Sequence, residues 1–250
     1  MLALITGASS GIGRDMARIL SEKGYDLILV ARRKTKLQAL KKELNTNVEC
    51  IVMDISTTFN CMELYQEVKD KDIDILINNA GFGLFGEFCE TNLDKELDMI
   101  DLNIKAVHTL TKLFLKDFKK KNKGYILNVA SSAAFLPGPL MATYYGTKAY
   151  VLRFTESIHE ELKKEKSNVY IGALCPGPVN TEFNKVAKVS FQLPGMESRD
   201  VAEYAIKKMF KKKMIIIPGI TMKVSKFMIR FIPESILLHT AYHIQKRKRD

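Results

Sequence analysis

Short apolar runs alternate with longer charged amphipathic segments along almost the whole of this sequence. Several runs, such as LALIT and DLILVA, are apolar at successive positions, which is typical of strands buried on both faces of a parallel sheet. Repeated strand–helix units of this kind predict an α/β fold with a doubly wound, seven-stranded parallel sheet and helices on both faces. The seven runs that fit the strand pattern are residues 2–6, 26–31, 48–53, 73–78, 124–130, 168–175 and 214–218.

The predicted fold occupies one continuous part of the chain. A length of 250 residues suits a single α/β domain, and 46% hydrophobic with 27% charged residues is an ordinary globular composition. No low-complexity linker interrupts residues 1–218, so we expect them to form one domain. After Pro218 the pattern becomes basic and apolar-rich, and we expect residues 219–250 to be a helical extension of the same domain.

The sequence carries few signs of targeting, disulfide or metal chemistry. No basic segment precedes the first apolar run, MLALITG, so we interpret it as a strand and not as a signal peptide. No stretch reaches 18 uncharged apolar residues, so we expect no membrane span. The four cysteines are scattered without a C-x-x-C pair, which predicts reduced thiols in the cytoplasm. His239 and His243 have the i, i+4 spacing of metal ligands, but no third ligand is placed near them, so we expect no metal site.

A glycine-rich turn, TGASSGIG, follows the first predicted strand and begins the first helix. Its glycines allow the backbone to turn sharply and to approach a pyrophosphate without an intervening Cβ, and the helix N-terminus offers free N–H groups. This pattern predicts dinucleotide binding in a Rossmann-type fold. The alternative is a plain strand–helix turn, since the spacing G-x-x-x-G-x-G is not the commonest fingerprint. The cofactor contacts expected here are Gly7, Ser9, Ser10, Gly11, Ile12 and Gly13.

The end of the second predicted strand bears on the choice of cofactor. Many dinucleotide folds carry an acidic residue there for the ribose 2′-hydroxyl, whereas this chain continues with Arg32 and Arg33. An arginine can bind a 2′-phosphate that a carboxylate would repel, and Arg14 adds a second positive group after the turn. These residues predict NADP(H) in preference to NAD(H). The alternative is a solvated basic start of the second helix.

Further motifs follow in order: NNAG at 78–81, LN at 102–103, NVASS at 128–132, YYGTK at 144–148 and PGPVNT at 176–181. With the glycine turn, they make this sequence resemble the short-chain dehydrogenase/reductase family over about residues 1–218. The resemblance implies a dinucleotide-binding and catalytic domain that transfers hydride between a nicotinamide and a carbonyl or secondary alcohol. It also implies a homodimer or homotetramer.

The two adjacent tyrosines need to be distinguished. Helix geometry alone leaves both open, because Tyr144 and Tyr145 lie four and three positions before Lys148. In the family, the catalytic serine lies thirteen residues before the catalytic tyrosine, and that spacing pairs Ser131 with Tyr144. The resemblance therefore implies that Tyr144 donates the proton and Ser131 binds the carbonyl oxygen. We expect Lys148, together with the positively charged nicotinamide ring when the cofactor is oxidised, to lower the phenol pKa from near 10 to about 7.

The resemblance assigns further roles. It implies that Lys148 also holds the ribose, that Asn103 completes the catalytic set by positioning a relay water, and that Asp54 contacts the adenine. Thr181 is expected at the nicotinamide carboxamide. The other implied cofactor contacts are Asn79, Ala80, Gly81, Pro176, Gly177 and Val179. A relative that keeps the binding motifs without catalysis, acting as a sensor or scaffold, is the alternative.

Apolar residues predict the character of the substrate. One group of them follows NNAG, and the other lies in the segment after Thr181, where the family places its substrate lid. We therefore expect an apolar carbonyl substrate such as a ketone, an aldehyde or a 3-oxoacyl compound. The alternative is that half of them belong to the core. The residues are Phe82, Phe85, Phe88, Val186, Val189, Phe191, Leu193 and Met196.

Positive charge is concentrated at the end of the chain. The formal net charge is +11, and the segment 204–250 holds 12 basic and two acidic residues, or +10, which leaves +1 for residues 1–203. Lys223, Lys226 and Arg230 fall on one side of a predicted amphipathic helix, with apolar residues on the other. One interpretation is peripheral contact with an anionic membrane. The other is a helix packed on the domain with its lysines in water. Nucleic acid is not expected, because no reading module accompanies the charge.

Overall fold

The computed structural model describes residues 1–187 and 195–246 of the chain. Its main feature is a seven-stranded sheet in which every pair of neighbouring strands is parallel, with the order β3-β2-β1-β4-β5-β6-β9. This confirms the predicted doubly wound fold. The strands are β1 (Leu2–Thr6), β2 (Asp26–Ala31), β3 (Val48–Val52), β4 (Ile73–Asn78), β5 (Tyr125–Val129), β6 (Tyr170–Leu174) and β9 (Ile215–Ile216).

Two short strands form a separate pair at the beginning and end of the predicted lid. They are β7 (Val179–Asn180) and β8 (Met196–Glu197). The helices are α1 (Gly11–Glu22), α2 (Lys34–Glu43), α3 (Thr58–Val68), α4 (Leu93–Ile100), α5 (Val107–Lys120), α6 (Ala142–Lys164), α7 (Phe183–Ala187), α8 (Ser198–Phe210), α9 (Ile220–Met228) and α10 (Glu234–Lys246).

The helices cover both faces of the sheet, which explains the continuous apolar runs. Successive residues of a strand point to opposite faces, and here both faces are core: Ile5 packs with α1 and α8, whereas its neighbour Leu4 packs with α3 and α5. Both side chains are 0% exposed. A strand buried in this way needs apolar residues at every position, so an alternating pattern would not have been compatible with this fold.

The strand order reverses between β1 and β4, and this reversal positions the candidate site. Chain connections leave β1 and β4 toward opposite sides of the sheet, which opens a crevice at their carboxyl ends. The glycine turn follows β1 and NNAG follows β4, so two motifs separated by about 70 residues meet at this crevice.

The segment after β9 forms α9, a short 3₁₀ turn at Ile229–Phe231, and α10. Among the described residues, no helix has both the length and the apolar character needed to cross a bilayer. The rings of His239 and His243 meet edge to face with centroids 4.4 Å apart, and in the described part of the chain no three potential metal ligands cluster.

Candidate active site

The glycine turn is shaped by close contact with the loop after β4. Gly7 has a φ of +66°, and a Cβ atom on it would lie 2.8 Å from the Cα of Ala80. A Cβ atom on Gly13 would lie 2.3 Å from the Nδ2 of Asn79. That amide also donates to the carbonyl of Thr6 at 3.0 Å, which joins the two loops. Side chains are therefore excluded where a pyrophosphate needs to approach the backbone.

A cleft of about 680 Å³ opens in front of this turn. The carboxyl ends of β1, β2, β4, β5 and β6 contribute to its walls, as expected for a ligand site at the reversal point of a doubly wound sheet. The predicted cofactor residues that line it are Gly7, Ser9, Ser10, Gly11, Ile12, Arg32, Arg33, Asp54, Asn79, Ala80, Gly81, Tyr144, Lys148, Pro176, Gly177, Val179 and Thr181. The cradle left by the glycines fits a dinucleotide.

Two residues predicted to contact the cofactor lie outside the cleft walls. Gly13 packs behind the turn, against Asn79 and the carbonyl of Gly7. The side chain of Arg14 pairs with Asp15, with 3.4 Å between Nε and Oδ1. The expectation that Arg14 adds a second positive group to the site stays a prediction, since in this structure its guanidinium contacts its neighbour on α1 and does not line the cleft.

Arg32 and Arg33 differ in how firmly they are held. The side chain of Arg32 is 71% exposed and lies 3.5 Å from Asp54. Arg33 donates to the hydroxyls of Ser9 and Ser10 at 2.9 and 2.8 Å, and its Nη1 lies 2.6 Å from Oε2 of Glu182. Arg33 thus connects the glycine turn to the segment after Thr181 and makes more polar contacts than Arg32.

Glu182 is surrounded by positive charge. Besides Arg33, it forms an ion pair with Lys36 on α2. Hydrogen bonds from Lys36 and Arg33 lower the pKa of its carboxyl to about 2, so it is ionised at every physiological pH. A carboxylate thus occupies the neighbourhood in which the sequence predicts a 2′-phosphate.

Ser131, Tyr144 and Lys148 line the same part of the cleft. Ser131 follows β5, and its Oγ accepts from the N–H of Ala133 at 3.1 Å as the cap of a 3₁₀ turn. Tyr144 and Lys148 lie one turn apart near the start of α6, and both are nine-tenths buried. The ammonium of Lys148 donates to the carbonyl of Val129 at 2.9 Å and lies 5.9 Å from the centroid of the Tyr144 ring.

Burial shifts the pKa values of Tyr144 and Lys148 in opposite directions. Burial raises the pKa of Tyr144 to about 12, while the Ser131 hydroxyl acts in the opposite direction. Burial also lowers the pKa of Lys148 to about 8. Desolvation of the phenolate is the largest contribution and Lys148 makes no resolved one, so the expected fall of the phenol pKa toward 7, which also invokes the oxidised nicotinamide, stays a prediction.

Asn103 lies outside the cleft wall and is 0% exposed. It belongs to a π-helical segment, Asp101–Ala106, between α4 and α5. Its Oδ1 accepts from the backbone N–H of Phe82 at 3.1 Å. Its Nδ2 donates to the backbone carbonyl of Phe82 at 2.9 Å and to the hydroxyl of Thr147 at 3.1 Å. In this structure it fixes the loop after NNAG beside α6. Its role in positioning a relay water remains a prediction.

The predicted apolar substrate residues divide into several groups. Phe82 and Val186 line the cleft, whereas Phe85 packs beside Tyr144 without reaching the cleft wall. Phe88 is 67% exposed, and Met196 packs against the core. The remaining three, Val189, Phe191 and Leu193, lie outside the described residues.

Sequence reasoning missed the contribution of α10. Ile244 lines the cleft, and the neighbouring Gln245 is 3% exposed and donates its Nε2 to the hydroxyl of Tyr145, another cleft residue. Tyr145 thus forms part of the wall, and its hydroxyl is already hydrogen-bonded. The sequence offered no signal for this contact, since the two residues are 100 positions apart.

A family model described as short chain dehydrogenase matches residues 1–189. The chain is 33% identical over 186 residues to an uncharacterized oxidoreductase of Staphylococcus epidermidis, covering 74% of this chain and 80% of that one. It is 29% identical over 245 residues to very-long-chain 3-oxoacyl-CoA reductase of Homo sapiens, covering 94% and 74%.

The fold is also similar to that of a solved short-chain dehydrogenase. The short-chain dehydrogenase from Sphingobium yanoikuyae in complex with NADPH superimposes with a TM-score of 0.81 at 31% identity, covering 88% of each chain.

Proposed function

Because this chain belongs to the short-chain dehydrogenase/reductase family, we propose that it is an NADP(H)-dependent oxidoreductase that interconverts the carbonyl and secondary alcohol of an apolar substrate. The observation that carries the proposal is the presence of Ser131, Tyr144 and Lys148 in one cleft with the glycine turn. A phenol that donates a proton and a hydroxyl that binds the same oxygen are the groups that reduction of a carbonyl requires.

Each group in this cleft has a task that its chemistry allows. When bound, the nicotinamide supplies or accepts the hydride. The raised pKa of Tyr144 keeps the phenol protonated at neutral pH, which is the form that donates a proton to a carbonyl oxygen during reduction. Ser131 donates a hydrogen bond to that oxygen and holds it near the phenol. Lys148, with a pKa of about 8, is largely protonated at pH 7 and provides a cation beside the ring.

We assign the preference for NADP(H) to Arg33, assisted by Arg32 and Lys36. The basic residues at the start of α2 favour a 2′-phosphate, and no acid follows β2 directly to bind a ribose hydroxyl. The relative from Sphingobium yanoikuyae that binds NADPH supports this assignment. Asp54, which follows β3 in the cleft, is assigned to the adenine.

For the substrate we propose an apolar carbonyl compound, with 3-oxoacyl thioesters as the first class to test. Phe82, Val186 and Ile244 give the cleft an apolar wall. Several relatives are very-long-chain 3-oxoacyl-CoA reductases, including the human protein. We further propose that the enzyme acts in the cytoplasm and that it is a homodimer or homotetramer. Light scattering on a gel-filtration column would measure its oligomeric state.

The deciding experiment is NADPH oxidation by the purified protein with ketones, aldehydes and 3-oxoacyl thioesters of increasing chain length. Turnover that rises with chain length and disappears in Tyr144→Phe supports the proposal. NADPH binding without turnover on the whole panel would instead favour a sensor or scaffold. Turnover confined to short polar carbonyls would contradict the substrate class.

A further inference from the structure

Helix α9 contacts the rest of the protein through only part of its circumference. Met222 packs against Gly177, with its Sδ 2.8 Å from where a Cβ atom on that glycine would lie, and the ammonium of Lys226 lies 4.8 Å from the centroid of the Phe135 ring. These two side chains are four residues apart and therefore lie on the same side of the helix. No side chain of α9 is fully buried.

The apolar side of this segment faces away from the protein. Ile220, Val224, Phe227 and Phe231 follow a helical stripe and are 78%, 54%, 58% and 68% exposed. A helix that covered its own domain with its lysines in water would show the reverse arrangement. The structure thus leaves a contiguous row of large apolar side chains mostly exposed, with the rings of Phe227 and Phe231 packed against each other at 5.2 Å between centroids.

Basic residues border this apolar stripe. Lys223 and Arg230 are seven positions apart, both exposed, and lie along one side of it. Among residues 220–246 there are four basic residues and a single acid, Glu234. The whole segment from residue 204 carries a formal charge of +10. A partner for this surface therefore needs to be both apolar and negatively charged.

We propose that this surface, comprising Ile220, Lys223, Val224, Phe227, Arg230 and Phe231 and called the tail surface below, docks reversibly on an anionic lipid bilayer. The apolar residues enter the level between headgroups and acyl chains, while the cations contact phosphate and carboxylate groups. A second copy of this chain is a poorer partner, because a symmetric contact would bring Lys223 and Arg230 of each copy together.

Docking would place the lipid surface beside the substrate cleft. The packed side of α9 touches Gly177, a cleft residue, and Ile244 of α10 lines the cleft while remaining 55% exposed. An apolar substrate could then exchange between the bilayer and the cleft with little exposure to water. This last consequence rests on the proposed reductase function, whereas the docking itself does not.

The test is sedimentation of the full-length protein with vesicles of phosphatidylcholine alone or of phosphatidylcholine with phosphatidylserine. We expect at least tenfold stronger association with the anionic vesicles, weakening as salt is raised because the charge contribution is screened. Phe227→Ser with Phe231→Ser, and separately Lys223→Glu with Arg230→Glu, should each reduce association at least about tenfold. Point variants are preferable to truncation, because α10 forms part of the cleft.

Matched controls alter the same residue types elsewhere. Phe59→Ser with Leu93→Ser removes two apolar side chains that are each 67% exposed, and Lys163→Glu with Lys164→Glu reverses two lysines that are 71% and 79% exposed. Both control pairs should bind vesicles like the original protein. All variants should retain turnover of a water-soluble carbonyl substrate.

Several outcomes would overturn the proposal. These are equal association with both vesicle types, negligible association with either, or equal loss in the control pairs. Dissociation of an oligomer by Phe227→Ser with Phe231→Ser, without vesicle binding by the original protein, would assign the tail surface to a contact between copies. Because sedimentation needs no substrate, a chain that binds vesicles but turns over no carbonyl would contradict only the proposed reductase function.

Discussion

Arg33 and Glu182, separated by 149 positions in the sequence, form an ion pair with 2.6 Å between Nη1 and Oε2. The pair lies at the edge of the candidate cofactor cleft, where Lys36 also contacts the carboxylate. The group expected to bind a 2′-phosphate is thus already bound to a carboxylate of the chain itself. A phosphate that binds Arg33 and Lys36 has to compete with Glu182 for the same donors.

We predict that Glu182→Gln increases the affinity for NADPH by about 3- to 10-fold, because one competing charge-assisted contact of ~1 kcal/mol or more is removed. NADH affinity should be unchanged, since NADH lacks the phosphate. Fluorescence titration of both cofactors measures this. Glu43→Gln is the matched control, because Glu43 forms an ion pair of the same 2.6 Å length with Arg18. Weaker NADPH binding by Glu182→Gln would show that the carboxylate assists binding.

Replacing Arg32 and Arg33 together by alanine should remove most of the preference for NADPH. A hydrogen bond to a charged group is worth ~1.5–3 kcal/mol, so each lost contact should lower kcat/KM for NADPH roughly 10- to 150-fold. The single variant Arg33→Ala should account for most of the loss, because Arg32 is more exposed and more loosely paired. Steady-state kinetics with NADH provide the control, and equal use of both cofactors by the original protein would contradict the assignment.

Tyr144→Phe should reduce kcat by about 10²–10⁴-fold or more while leaving NADPH binding nearly intact, because the ring remains and the proton donor is lost. Tyr145→Phe should cost far less activity. Its effect should appear in stability instead, since it removes the partner of the Gln245 amide in a buried site, at a cost of ~1–3 kcal/mol. Turnover assays and urea unfolding of both variants separate the two effects. An exchange of behaviour between them would overturn the assignment of Tyr144.

The buried ammonium of Lys148 predicts a pH dependence of stability. Its pKa is about 8 in the folded protein against 10.5 for an exposed lysine, so the unfolded chain binds more protons above pH 8 and the free energy of unfolding rises there. Between pH 8 and 9 the gain should be ~1 kcal/mol. From pH 8 upward the buried thiols of Cys61 and Cys175 oppose this contribution, because burial raises their pKa values from 9.0 to about 12 and they ionise only after unfolding.

Lys148→Met tests this prediction without added cofactor. The free energy of unfolding of the original protein should rise by ~1 kcal/mol relative to that of the variant from pH 8 to 9, because the opposing thiols are common to both proteins. Parallel curves for the two proteins would mean that Lys148 has an ordinary pKa. In that event, the ammonium is better solvated than its burial suggests.

The framework of this fold could be predicted because its signals are local. Residues 2–6 and 73–78 are apolar at nearly every position, and the strands found there begin and end as expected. The glycine turn and the order of the motifs located most of the cleft lining for the same reason. Such patterns depend on backbone conformation and on burial of both sheet faces, which neighbouring residues in the sequence determine together.

The remaining features depend on atoms that are distant in the sequence. Glu182 follows the last motif directly, yet only folding brings it to Arg33 and Lys36. The pKa of Tyr144 depends on its desolvation by surrounding elements, which the Y-x-x-x-K spacing alone does not specify. Arg14 is adjacent to the glycine turn, yet it pairs with Asp15 on α1 and does not line the cleft.

The orientation of α9 shows most clearly which features the sequence determines and which the tertiary structure decides. The sequence by itself determined that this segment is an amphipathic helix with a basic side, because the spacing of its residues sets which side chains share a face. Whether the apolar stripe faces the protein or the solvent was decided only in the tertiary structure, where Met222 occupies the space over Gly177. That contact fixes the rotation of the helix about its axis, and periodicity specifies faces without specifying rotation.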